Sequence, residues 1–103
     1  MSEMQREYNA VVGEMVRAWM SDLLDCFRQR DELQCRLRLD FILKDLGILL
    51  RPGTAWESLG RNGSLVVLNS ALHRARILLA QGRLDAAAGM SIGAFAEFMR
   101  VDR

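Results

Sequence analysis

Helix breakers are scarce in this chain. Residues 14–46 contain neither glycine nor proline, and Pro52 is the only proline among 103 residues. β-Branched residues are few and strict apolar–polar alternation is absent, so helix is the default reading. No run of about 18 apolar residues occurs, which leaves no segment for a membrane-spanning helix. Cysteine is limited to Cys26 and Cys35, with no Cys-x-x-Cys spacing, which argues against a disulfide-dense scaffold, a redox motif or a zinc site. The one histidine, His73, has no acid placed beside it and no local nucleophile signature. Charge of one sign is also missing: the formal net charge is +1, so there is no global electrostatic case for nucleic acid.

Other chemistries fall away on residue type. Asp22 with Asp25, and Asp40 with Asp45, are spaced as ordinary helix-surface acids, without a histidine ligand or a calcium-loop pattern. Gly60-Arg61-Asn62-Gly63 lacks the lysine and the preceding strand of a phosphate-binding loop. No catalytic residue, cofactor site or metal site emerges, and the chain is read as a non-enzyme. The polar opening, Ser2-Glu3-Met4-Gln5-Arg6-Glu7, is followed by no continuous apolar stretch and does not resemble an export leader. The expectation is a cytoplasmic protein with both thiols reduced and inert; a disulfide would become feasible only if a hairpin brought Cys26 and Cys35 together. Thirteen arginines stand against the single Lys44, the ratio of a GC-rich genome rather than a sign of phosphate binding.

What the chain does have is apolar helix surface. Half of its residues are hydrophobic, too many for a disordered segment, and its length gives one domain over residues 1–103. The first helix is expected from Ser2 or Glu3 to Arg28. A polar stripe (Glu3, Glu7, Glu14, Arg17, Ser21, Asp25, Arg28) faces a broad apolar arc that includes Met4, Tyr8, Val11, Val12, Met15, Val16, Trp19, Met20, Leu23, Leu24 and Phe27. Gly13 is a tolerated blemish in it. A break is placed at residues 29–31, with Asp31 as N-cap and Gln34 at the reach-back position. The competing reading is one unbroken helix to Leu46. It would align Met15, Trp19 and Leu23 with Leu33, Leu37 and Phe41, each pair lying five whole turns apart.

The second helix, Glu32–Leu46, carries Leu33, Leu37, Leu39, Phe41, Ile42, Leu43 and Leu46, and Gly47 is its expected C-cap. Arg51-Pro52-Gly53 reads as a turn, and Thr54-Ala55-Trp56-Glu57 as a capping box opening a short helix. Ser64 is the expected cap of a third helix over Leu65–Gln81, closed by Gly82. Its core face is Leu65, Leu68, Leu72, Ala75 and Leu79, and its wet face Asn69, His73 and Arg76. The last helix runs from Leu84 to Val101, with a break expected after Gly89 and a new cap at Ser91. If it were continuous, Ala86, Gly89, Gly93 and Ala96 would form a strip of small residues, and Ile92, Phe95 and Met99 a separate bulky face.

Two stretches have local counterparts in known families. Ala80-Gln81-Gly82-Arg83-Leu84-Asp85-Ala86-Ala87 resembles the inter-helix turn of a tetratricopeptide repeat. The resemblance covers one turn, with no second copy, and implies a helix–turn–helix hairpin. Ser91–Val101 resembles the first helix of a DNA-binding helix-turn-helix; in a second register Leu84–Gly89 is the first helix and Ile92–Val101 the reader, although that reader carries few side chains suited to base edges.

The fold expected is all-α, a small four- to five-helix bundle or orthogonal array with a long N-terminal amphipathic helix. The first helix has a wider apolar arc than so small a domain can cover, which places a partner-binding surface at Tyr8, Val12, Met15, Trp19, Met20 and Leu23. The function expected is a cytoplasmic adaptor or regulator of the anti-activator, inhibitor or secretion-chaperone kind. It would form a homodimer and occlude a surface on another protein, such as a transcription factor or other regulator. The alternative is a DNA-binding transcriptional regulator. That reading rests on the locally basic stretch 51–83, which has five arginines against Glu57 alone, with Arg61, Arg74, Arg76 and Arg83 as the contacts.

Overall fold

The computed structural model describes residues 2–51 and 62–101. It contains four helices: α1 (Glu3–Arg28), α2 (Glu32–Leu49), α3 (Asn62–Ala80) and α4 (Leu84–Val101). Among the described residues there is no strand and no helix long and apolar enough to cross a membrane. The expected turn at Pro52, the capping box at Thr54 with its short helix, and Arg61 lie outside the described residues.

α1 starts with a reciprocal cap. The Ser2 hydroxyl accepts from the Gln5 amide at 3.1 Å, and the Gln5 side-chain oxygen accepts from the Ser2 amide at 3.0 Å, which satisfies two of the orphan donors at the helix start. The break expected at residues 29–31 is present. Arg30 turns into the left-handed region (φ 54°). Its amide donates to the Phe27 carbonyl at 3.0 Å, and the Asp31 amide to the Cys26 carbonyl at 3.4 Å. This is the paired closure that ends helices with a left-handed residue, here arginine where glycine is usual. Asp31 then caps α2, its carboxylate accepting from the Gln34 amide at 3.1 Å.

The α3–α4 reversal repeats the pattern with glycine in place. Gly82 has φ 74°; its amide donates to Leu79 and the Arg83 amide to Leu78, both at 2.9 Å. The hairpin implied by the turn's resemblance to a tetratricopeptide repeat is therefore formed. The two reversals lie side by side, because Arg30 reaches Asp85 at 3.0 Å. α2 leaves the end at which α3 arrives, so the four helices alternate in direction. Each packs on its chain neighbour, α3 on α4 most extensively, and α1 closes on α4. At 26 residues α1 spans about 39 Å, some 10 Å more than the others.

Three expected boundaries are corrected. Gly47 does not cap α2; the helix continues to Leu49, its last turn held down by half-buried Leu50, which packs against the core. α3 begins by Asn62, before Ser64, so the serine lies inside the first turn. α4 is unbroken through Gly89 and Ser91. Ser91 is fully buried and its hydroxyl donates to the Ala87 carbonyl at 2.9 Å, the back-bond of a serine within a helix rather than a cap. The register that would make Ile92–Val101 a separate reading helix is therefore absent.

The core draws on all four helices: Tyr8, Val12, Val16, Leu23 and Phe27 from α1; Cys35, Leu39, Ile42 and Leu46 from α2; Leu65, Leu68, Leu72, Ala75 and Leu79 from α3; Ala87, Phe95 and Phe98 from α4. The expected core face of α3 is buried in full. Its wet face is corrected in part: His73 is exposed, whereas Asn69 and Arg76 are half-buried. The bulky face expected on α4 is split, with Phe95 buried, Met99 half-buried and Ile92 exposed. Gly13 is buried.

The helix ends give a direct stability test by urea unfolding. Gly89→Ala should stabilise the protein by about 0.5–1 kcal/mol, since a Cβ there meets nothing and the helix runs through. Arg30→Gly should stabilise by a similar amount, about 0.5–1 kcal/mol, by relieving the left-handed arginine. A loss of stability in Gly89→Ala would show that α4 ends at that glycine.

Candidate protein-docking face

Six residues of α1 were expected to face a partner, and the structure divides them. Tyr8, Val12 and Leu23 are buried in the core, where α2 and α4 close over the centre of the arc. Met15, Trp19 and Met20 are half-buried, with Trp19 and Met20 packed at the edge of the core. The arc is nevertheless wider than its cover. Met4 and Val11 are exposed, and with Met15 and Trp19 they form a row at helical spacing along one margin of α1.

α2 carries a further apolar surplus, for which no partner-facing role was expected. Cys35, Leu39, Ile42 and Leu46 are buried. Leu33, Leu37, Phe41 and Ile48 lie on the opposite side and are exposed. The signal was present as a row of apolar residues at steps of four, offset by half a turn from a second row. An α2 apolar on two opposite faces packs only one of them within this chain. α3 adds exposed Val66 and Ile77. Asp40 of α2 and Arg76 of α3 meet at 2.8 Å. That pair ties the two antiparallel helices together on their shared flank.

Between α1 and α2 lies a cleft of about 250 Å³ lined by Trp19, Asp22, Arg38, Phe41, Ile42 and Asp45. It adjoins a second, of about 260 Å³, lined by Asp22, Asp25, Cys26, Gln29, Gln34 and Arg38. A third, of about 170 Å³, lies between Gly63–Leu68 and Ala94–Phe98. All are smaller than the roughly 300–1,000 Å³ of typical small-molecule sites. Among the described residues, no three His, Cys, Asp or Glu side chains converge as a metal ion requires.

The thiols are both free, Cys35 fully buried and Cys26 half-buried. Burial is the main cause that pushes the Cys35 thiol from its ordinary value near 9 up to about 11, and Cys26, Asp31 and Glu32 add to it. At neutral pH that sulfur is protonated and a poor nucleophile. His73 stands on the exposed side of α3, away from the buried thiol.

Arg74 and Arg83 are exposed, Arg76 is neutralised by Asp40, and Arg61 lies outside the described residues. No protein-family model matches the chain, and no curated protein or solved structure is significantly similar to it.

Two measurements follow. Leu39→Ala should cost about 2–5 kcal/mol in urea unfolding, as a buried leucine does, and Leu37→Ala less than about 1 kcal/mol; equal losses would place both faces of α2 in the core. Iodoacetamide at pH 8 should modify Cys26 well before Cys35, read by mass spectrometry of peptides. The Cys35 shift also implies that stability falls as pH rises from about 9 towards 11, because there the unfolded chain has lost a proton that the folded chain keeps.

Proposed function

We propose that this protein is a small cytoplasmic protein-binding regulator or adaptor, of the anti-activator, inhibitor or chaperone type, that occludes a surface of another protein. The observation that carries this reading is the uncovered margin of α1: Met4, Val11, Met15 and Trp19 extend the core arc beyond what α2 and α4 cover. Methionine and tryptophan in such a row suit an interface, since one adapts its shape and the other supplies a large rigid contact. The cleft beside it opens at Trp19 and Phe41 and is flanked by Asp22, Asp45 and Arg38. An amphipathic helix of the partner fits this geometry, its apolar side chains on the row and its polar ones on the flanking charges.

Binding without chemistry is consistent with the small clefts and with a buried thiol held protonated. On this reading the protein acts by mass action, covering a contact that its target otherwise makes. The target class, a transcription factor or similar regulator, is part of the proposal.

The experiment is capture from the native host with the tagged full chain, with and without nuclease and at two salt concentrations, beside Val11→Glu and Met15→Glu. A stoichiometric protein partner that survives nuclease and salt should bind the wild type and be lost at least tenfold by both variants, whose helical circular dichroism stays unchanged. Recovery that depends on nucleic acid, or a partner held equally by both variants, overturns the proposal.

A further inference from the structure

The reversal that joins α1 to α2 has the two cysteines of the chain on either side of it. Cys26 lies in the last turn of α1 and Cys35 in the first turn of α2, equally far from the centre of the reversal between Arg30 and Asp31. Asp31 ties the two positions together: its amide donates to the Cys26 carbonyl at 3.4 Å, and its carbonyl accepts from the Cys35 amide at 3.0 Å. In an antiparallel hairpin, positions equidistant from the turn stand at one level. Packed helices have axes about 8–10 Å apart and Cα atoms about 2.3 Å off the axis, so facing residues at one level are roughly 4–7 Å apart, the span of a disulfide.

The side chains share the same side of the hairpin. Cys35 is fully buried in the core, and Cys26 packs against that core. Cys26 also lines the cleft of about 260 Å³ together with Gln34 and Arg38 of α2, and Gln34 is the chain neighbour of Cys35. After burial, the charge of Cys26 is the strongest influence that keeps the proton on Cys35, which puts the two sulfurs within direct electrostatic reach.

We propose that Cys26 and Cys35 are a reversible redox pair, which a hydroperoxide closes into a disulfide across the α1–α2 reversal. Cys26, half-buried on an open cleft, reacts first. Its thiolate attacks the peroxide: an S–O bond forms, the O–O bond breaks, and the departing oxygen takes up a proton and leaves as water or an alcohol. The Cys35 thiol then gives up its proton, and its sulfur displaces hydroxide from the Cys26 sulfenic acid. The S–S bond forms, the S–O bond breaks, and the proton and hydroxide leave as water. Two electrons pass from the pair of sulfurs to the peroxide, and a dithiol returns them. Burial keeps Cys35 protonated at neutral pH and spares it from the oxidant, so it reacts with the electrophile held beside it. Transient closure of this kind suits a reducing compartment. The bond ties α1 to α2 at the turn whose orientation decides which side of α2 is core.

The test is oxidation of the reduced full chain at pH 8 with stoichiometric hydrogen peroxide, read by intact and peptide mass spectrometry. The monomer should lose two hydrogens, and the peptides holding Cys26 and Cys35 should emerge joined. Cys35→Ser should stop at a sulfenic acid on Cys26 that dimedone traps, and Cys26→Ser should form no bond within the chain. A folded hairpin that already holds the pair together favours the bond. The disulfide of the wild type should therefore be at least tenfold harder to reduce, at equilibrium with dithiothreitol, in buffer than in concentrated urea. This comparison needs no variant to fold. A wild-type Cys26 sulfenic acid that persists, a bond formed only between two copies, or a disulfide reduced as readily in buffer as in urea overturns the proposal.

Discussion

The reversal at Gln29–Asp31 closes one helix and opens the next within three residues, and the packing of everything after it depends on that. Arg30 occupies the left-handed region, the amides of Arg30 and Asp31 return to the end of α1, and the Asp31 carboxylate already caps α2. Asp31 thus serves two helix ends at once. Were the chain to continue straight, Met15, Trp19 and Leu23 would share one side of a single rod with Leu33, Leu37 and Phe41. The turn separates these two sets: Leu23 goes to the core, Trp19 to its edge, and all three residues of the second set to solvent. Which side of α2 becomes core is decided by the orientation in which this turn returns the chain.

That dependence explains what the sequence could and could not reveal. The all-helical class, the break at residues 29–31, the Asp31 cap, the Gly82 closure and the whole buried face of α3 follow from local rules, because caps, glycine and 3.6-residue spacing act within a turn or two. The two faces of α2 did not follow, because both rows are apolar at helical spacing and only the docking of α1 and α3 chooses between them. Gly47 and Gly89 misled for a related reason. Glycine permits a helix to end without requiring it, and the neighbouring side chains that continue to pack carry the helix past it.

The apolar surplus of α1 was legible in kind rather than in place. Surplus apolar surface on α1 was correctly sensed from the width of its arc, yet Tyr8, Val12 and Leu23 lie at the arc's centre and are consumed by the core. Only the margin is left over, and it runs through Met4, Val11, Met15 and Trp19. The centre of an amphipathic arc is the first part that a monomer buries, so a surface for a partner belongs at its edge. For an arc flanked by α2 on one side and α4 on the other, width alone does not say which edge stays open.

Exposed leucines on a helix need no partner to explain them, because leucine is among the best helix formers. Leu33 and Leu37 taken alone would be accounted for in that way. Phe41, Ile48, Val66 and Ile77 are not, since aromatic and β-branched side chains lose rotamer freedom against the preceding turn and are poorer choices at open helix positions. They contribute little burial to this chain by itself. Phe41, Ile48, Val66, Val67 and Ile77 lie exposed on α2 and α3, and Val11 and Ile92 on α1 and α4. Glutamate, lysine or glutamine at those positions would serve the folded monomer as well and keep it more soluble. Contact with another surface would account for the residue types there, which folding of the single chain does not require.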